Sequence, residues 1–154
     1  MKILASAKIT GILLIFFSIS MLTPIIPALY FEDHNYLPFI ISWLITLITG
    51  IILWLPNRKK SIELRTRDGF LIVVVTWIVL IAFGSLPFII SYEPSIALSR
   101  GVFESVSGLT TTGASTLIGV GILPPSILYY RQQLEFLGGL GVIVLAVAIM
   151  PMIG

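Results

Sequence analysis

Cysteine is absent from this chain of 154 residues, and histidine occurs once, at His34. The lack of cysteine excludes disulfides, thiolate nucleophiles and zinc–thiolate sites. Charge is also scarce: 10% of the residues are charged and 57% are hydrophobic, whereas soluble domains carry about 25% charged residues. So few charges cannot cover a globule with polar surface, and lipid must act as the outer solvent. The composition therefore predicts a polytopic membrane protein.

Long apolar runs dominate the chain, and four of them reach the length of about 20 residues that crosses a bilayer core. They cover residues 9–29, 36–55, 69–90 and 126–150. None shows the alternation of a membrane β-strand, so we expect helices. Pro24 and Pro27 are expected to kink or end the outer part of the first run. A cleaved signal peptide is the alternative for this run. It is longer than the usual apolar region of about 7–15 residues, so we expect a retained span.

The loops between the runs differ in charge, and this difference predicts the orientation. The loop after the second run carries five basic residues: Arg58, Lys59, Lys60, Arg65 and Arg67. The loop after the first run carries Glu32 and Asp33. By the positive-inside rule the basic loop and the N-terminus are cytoplasmic. Because topology explains the basic residues, we expect no nucleic-acid partner.

A shorter segment, residues 94–107, lies between the third and fourth runs. Pro94 suits the first turn of a helix, and Gly108 suits a position just past its end. Such a helix is about 20 Å long at 1.5 Å per residue, which is too short to span. Arg100 and Glu104 also make it too polar. We predict a re-entrant helix that enters from the outside and returns.

A threonine-rich loop follows this helix, with Thr110, Thr111, Thr112 and Gly113 close after the helix end, and we predict that it forms part of an ion filter. The C-terminal end of a helix carries partial negative charge, which favours cations. Threonine hydroxyls add oxygen ligands, and Gly113 can take positive φ at little cost. Rings of main-chain carbonyls replace the water shell of a dehydrated cation. An ordinary turn in an exterior loop is the alternative.

The predicted fold is an all-α polytopic membrane protein with four transmembrane helices plus one re-entrant pore helix and filter loop. Residues 1–66 are expected to form two transmembrane helices that precede the pore unit, together with the basic loop. Residues 67–154 are expected to form the pore unit itself, a helix–pore loop–helix unit. No enzyme is expected, because no base is positioned for the serines and His34 lies far in sequence from any Gly-x-Ser-x-Gly element.

The run Phe-Glu-Ser-Val-Ser-Gly-Leu-Thr-Thr-Thr-Gly-Ala at 103–114 resembles the first pore loop of TrkH-type bacterial potassium uptake proteins, in the Trk/Ktr/HKT superfamily. The stretch 137–151, with Leu123-Pro124 and Arg131 before it, is similar to the following helix of that family. The resemblance covers essentially the whole chain. It implies K⁺ uptake across the bacterial inner membrane with no cofactor. It also implies a filter at Thr110, Thr111, Thr112, Gly113 and Ala114, with potassium bound through three of these residues: Thr111, Thr112 and Gly113.

The resemblance also implies partners. Members of the family work with a cytosolic nucleotide-binding regulatory subunit of the TrkA type, and they usually contain four concatenated pore units. This sequence supplies one unit, so we expect a fragment, a truncated gene or an assembly of several copies. The family's units are non-identical, so a working homotetramer is not expected. The remaining pore units and membrane lipid are the expected neighbours, and a non-conducting accessory or remnant membrane protein is the alternative.

Other residues near the loop have structural and functional interpretations. Glu104 is expected to hold backbone or a neighbouring unit, with cation binding as the alternative. Arg131 and Glu135 have i,i+4 spacing and can pair on one helical face, or they line a wet vestibule or a subunit contact. Three glycines are expected to allow close helix packing: Gly138, Gly139 and Gly141.

Overall fold

The computed structural model describes residues 2–58, 66–91, 96–117 and 119–149. Within these ranges the chain forms seven α-helices and no strand. The helices are α1 (Lys2–Ser20), α2 (Ile25–Tyr30), α3 (Tyr36–Trp54), α4 (Thr66–Gly84), α5 (Leu86–Ile90), α6 (Leu98–Leu109) and α7 (Pro125–Ile149). Short 3₁₀ turns follow α3 at Leu55–Asn57 and precede α7 at Val120–Ile122. The predicted all-α class is confirmed.

Three helical stretches in the described part of the chain are long and apolar enough to cross a membrane: Ser6–Tyr30, Tyr36–Asn57 and Gly69–Ile90. They coincide with the first three predicted runs. Large apolar side chains on them, such as Phe16, Ile52 and Ile78, are more than half exposed, which is typical of a surface that meets lipid. The 25-residue helix α7 forms where the fourth span was predicted, and its crossing of the bilayer stays a prediction.

The first span is broken between α1 and α2, as its prolines predicted. Pro24 has no N–H, so the carbonyl of Ser20 loses its usual helical donor. The Thr23 N–H and hydroxyl donate to this oxygen at 3.2 and 2.9 Å, and the Gln133 amide donates at 2.7 Å. Because unpaired carbonyls are costly at membrane depth, Gln133 of α7 stabilises the break.

The third span is also broken, at Ser85, just before Pro87 of α5. The buried Tyr130 of α7 donates its hydroxyl to the carbonyl of Gly84, at the end of α4, with an oxygen–oxygen distance of 3.0 Å. The ring of Tyr130 packs edge-on against Phe39 and at a tilt against Phe88, with centroid distances of 5.5 and 5.2 Å. This aromatic cluster joins α3, α5 and α7.

The segment predicted to be re-entrant forms the short helix α6, which packs against α4, α5 and α7; its re-entrant position stays a prediction. Its predicted start at Pro94 lies outside the described residues, as do Lys59, Lys60 and Arg65 of the basic loop. Its predicted end was wrong: the helix continues to Leu109, and Gly108 lies in its last turn. Gly108 serves packing rather than termination, because a methyl group there would lie 2.7 Å from Cβ of Leu134.

Candidate functional site

The loop predicted as a filter begins directly after α6 and is tied to the last turn of that helix. The N–H of Thr111 donates to the carbonyl of Gly108 at 2.9 Å, and the N–H of Thr112 donates to the carbonyl of Ser107 at 2.9 Å. The Ser107 hydroxyl donates to the carbonyl of Ala114 at 2.6 Å. The loop therefore folds back over the helix end, so both of its ends are fixed by α6.

The backbone of the loop takes the left-handed region twice, at Thr111 (φ 57°) and Gly113 (φ 72°). Gly113 adopts it at little cost, as predicted. A β-branched residue pays roughly 1–2 kcal/mol for the same conformation. Strain of this kind persists where surrounding contacts over-determine it, and it clusters at functional sites.

The outer side of the loop is polar and open. Residues 110–116 are exposed, and the hydroxyls of Thr110 and Thr112 lie 2.8 Å apart. The Thr110 hydroxyl also lies 2.7 Å from the carbonyl of Val106. The five predicted filter residues thus form one contiguous exposed loop that offers hydroxyl and carbonyl oxygens. In the described part of the chain, no group of three or more His, Cys, Asp or Glu residues is placed to hold a metal ion.

The residues that follow the predicted filter are held by Glu104, which is 2% exposed. Its Oε1 accepts hydrogen bonds from the Ser115 hydroxyl at 2.9 Å and from the Thr116 N–H and hydroxyl at 2.8 and 3.3 Å. These three bonds join the middle of α6 to the residues that follow the predicted filter. The expectation that Glu104 holds backbone fits this geometry.

The other carboxylate oxygen of Glu104 accepts from Arg131 Nε at 2.8 Å, and both side chains are buried. The i,i+4 spacing allowed a pair between Arg131 and Glu135, but among the described residues Arg131 pairs with Glu104 instead. The alternative, a wet vestibule or a subunit contact at these residues, stays a prediction. The charge on Glu104 explains the difference, because a buried carboxylate is costly without a cation beside it. Arg131 therefore neutralises the residue that fixes the loop.

One stripe of α7 packs against the last turn of α6 and part of the loop that follows it. Besides Arg131, four α7 residues at spacings of three and four lie on this stripe. Leu134 lies against Gly108 and Gly138 against Leu109, at the end of α6, whereas Glu135 lies against Gly113 and Gly139 against Thr111, in the loop. A methyl group at Gly138 would collide with the carbonyl of Leu109, whereas one at Gly139 would lie 3.8 Å from Thr111 Cγ2. Close packing at Gly138 is thus required by the geometry. At Gly141 the nearest atom is an ordinary 3.5 Å away, in Trp77.

The site has negative electrostatic character. The C-terminal end of α6 at Leu109 faces the loop and carries about half an elementary negative charge. Glu104 and Arg131 cancel each other, and Glu135 of α7 adds a carboxylate whose Oε1 lies 3.8 Å from the position of a Cβ on Gly113. Cations are favoured beside such a loop, and anions are disfavoured.

The hydrogen bonds that join the far end of the loop to α6 were not predicted from the sequence. Neither the Ser107 hydroxyl nor the bonds of Glu104 to Ser115 and Thr116 was anticipated, because these pairs are 7 to 12 residues apart across an irregular loop. The available signal was Glu104 itself, a lone acid in a short helix with serines on both sides.

The comparisons with known proteins cover nearly the whole chain. The TrkH family, described as cation transport proteins, matches residues 37–154. The Trk system potassium uptake protein TrkH of Vibrio parahaemolyticus is 49% identical over 147 residues, which is 96% of this chain and 30% of the relative. TrkH of Escherichia coli K12 is 49% identical over 150 residues, which is 97% of this chain and 31% of the relative.

A solved structure is similar throughout. The crystal structure of the potassium transporter TrkH from Vibrio parahaemolyticus superposes with a TM-score of 0.93 at 48% identity, covering 98% of this chain and 32% of that one. The chain thus spans about a third of the length of the relatives it matches. With the family profile covering residues 37–154 and its fold shared with a solved member, this chain belongs to the TrkH family of cation transport proteins.

Proposed function

We propose that this chain contributes one pore unit to potassium uptake across a bacterial inner membrane, and that Thr110–Ala114 are its part of the ion filter. The observation that carries the proposal is the exposed oxygen-rich loop fixed at the negative end of α6 by Glu104, Ser107 and α7. Its relatives are potassium uptake proteins by name. Potassium would bind through carbonyl and hydroxyl oxygens of three residues: Thr111, Thr112 and Gly113.

Electrostatics and geometry both support a dehydrated monovalent cation as the cargo. Neutral oxygens from backbone and threonine suit hard cations with low charge. The α6 dipole lowers the energy of the cation without a fixed ligand charge that would retain it. This unit provides one side of a filter, so the proposal requires the remaining pore units as neighbours, from a longer chain or from other chains.

The proposal extends to orientation and regulation. With Lys2, Lys8 and the basic segment after α3 on the cytoplasmic side, the N-terminus is cytoplasmic and α6 enters from the outside. A cytosolic nucleotide-binding subunit of the TrkA type would then act from the same side as the basic segment. Labelling of a tag at the N-terminus in intact and permeabilised cells tests this orientation, and labelling in intact cells would contradict it.

A chimera tests the transport proposal. The chain replaces the matched 32% of the Vibrio parahaemolyticus transporter, and K⁺ uptake is measured in cells that lack their own uptake systems, beside the chain expressed alone. We expect the chimera to restore uptake. Gly113→Ala should lose most of it or weaken the preference for K⁺ over Na⁺, because a side chain is strained at φ 72° and the carbonyls move.

A matched control exists at Gly119, which has nearly the same φ of 70° but lies outside the predicted filter. Gly119→Ala carries a similar backbone strain and should leave ion preference unchanged. Equal effects of the two substitutions, or no uptake by the unmutated chimera, would contradict the proposal.

A further inference from the structure

We propose that Glu135 is a second determinant of cation binding in this unit, one that sets how readily a monovalent cation occupies the filter rather than which cation is chosen. The inference deepens the proposed function and rests on it. It begins from the placement of Glu135 on α7, one turn after Arg131. There its Oε1 is the nearest atom to the Cβ position of Gly113, at 3.8 Å.

The charge on Glu135 is not cancelled by its neighbour on the helix. Arg131 directs Nε to Glu104 Oε2 at 2.8 Å, and no ion pair joins Arg131 to Glu135 within the described part of the chain. The three side chains together therefore carry one net negative charge. Glu104 is committed to the Thr116 N–H and to Arg131, so the excess charge resides on Glu135, beside the loop.

Glu135 also differs from Glu104 in what it contacts. Glu104 is fully enclosed and accepts three hydrogen bonds through Oε1, which is a positioning role. Glu135 is half-buried and lies beside the glycine whose carbonyl is proposed to bind the ion. The interaction of a half-buried carboxylate with a cation bound at this loop would be screened less than that of a surface charge and more than that of a fully buried one. It therefore stabilises a bound cation without being a direct ligand.

Such a charge acts on every monovalent cation alike. Ion preference depends on the geometry of the coordinating oxygens, whereas a fixed charge outside the coordination shell changes the free energy of K⁺ and Rb⁺ by similar amounts. The inference thus separates the roles of two neighbouring residues. Gly113 governs preference, and Glu135 governs occupancy.

The test uses the chimera and measures KM and Vmax of K⁺ and Rb⁺ uptake. Glu135→Gln keeps the shape and removes the charge, and we expect KM for both ions to rise about tenfold, equivalent to about 1.4 kcal/mol, with Vmax changed by less than about twofold. Glu135→Asp keeps the charge and shortens the side chain, and it should stay within about threefold of the parent KM. Glu32→Gln removes the same charge from an exposed loop and should leave KM unchanged.

The outcomes separate the two proposals. A larger effect of Glu135→Asp than of Glu135→Gln would assign the residue a packing role and overturn the inference. An unchanged KM in Glu135→Gln, or a rise for K⁺ without a rise for Rb⁺, would overturn it while leaving the proposed function intact. An unmutated chimera without uptake would overturn the proposed function, and this inference with it.

Discussion

Loss of one partner from the Glu104–Arg131 pair should weaken both the fold and the attachment of the proposed filter loop. Arg131→Met leaves the carboxylate of Glu104 buried without a cation, and Glu104→Gln leaves the guanidinium of Arg131 without an anion. The side chain of Glu104 is 0% exposed and that of Arg131 is 9% exposed, with 2.8 Å between Oε2 and Nε. Each variant therefore leaves the remaining charge buried without its partner.

The expected loss of stability follows from the burial of the Glu104–Arg131 pair. Removing one member of a buried ion pair costs about 3–5 kcal/mol, mainly because the other charge remains desolvated. The double variant Glu104→Gln/Arg131→Met carries no charge, and Gln can still accept from the Thr116 N–H. It should be more stable than the sum of the single variants predicts, with a coupling free energy of about 2 kcal/mol.

The assay is a double-mutant cycle of unfolding in detergent micelles, followed by K⁺ uptake in the chimera. Arg100→Met is the control for Arg131→Met, because it removes the same kind of charge from an exposed position. Arg100 lies on α6, the helix that also carries Glu104. Its effect on the unfolding free energy should stay within about 0.5 kcal/mol. If the two single effects simply add, or if Arg131→Met costs no more than Arg100→Met, the proposed neutralisation of Glu104 is refuted.

Two further substitutions test the scaffold behind the loop. Gly138→Ala should lower stability by about 1–3 kcal/mol and reduce uptake, because the methyl group would push the main chain of Leu109 away. Gly139→Ala is its control, and equal losses in unfolding assays would contradict the packing argument. Tyr130→Phe leaves the buried carbonyl of Gly84 without its hydroxyl donor. It should cost about 1–3 kcal/mol, and an unchanged unfolding free energy would show that the carbonyl has another donor.

Most of the helical framework was accessible from the sequence because membrane spans depend on composition and length. The second run, predicted at 36–55, is α3 at Tyr36–Trp54, and Pro24 marked the break in the first span. These are local effects of apolarity and of a missing N–H, so a single sequence carries them. The end of α6 was different, since Gly108 is a typical residue after a helix and here lies inside it.

The supports of the site could not be predicted, because they join distant parts of the chain. Glu104 meets Arg131 across 27 residues, and the amide of Gln133 meets the carbonyl of Ser20 across 113. The i,i+4 spacing identifies Glu135 as a neighbour of Arg131 on the helix. It takes no account of the burial of Glu104, which makes the longer-range pair with Arg131 more favourable. The tertiary fold decides which acid is neutralised and which remains charged.

The most direct test of the account is to locate the ion itself. Crystals or frozen samples of the chimera in Rb⁺ or Tl⁺ give anomalous or occupancy signals for a bound monovalent cation. We expect a cation beside the main-chain oxygens of Thr111, Thr112 and Gly113, with a lower occupancy when Glu135 is replaced by Gln. A cation bound elsewhere along the pathway, with residues 110–114 facing only bulk water, would contradict it.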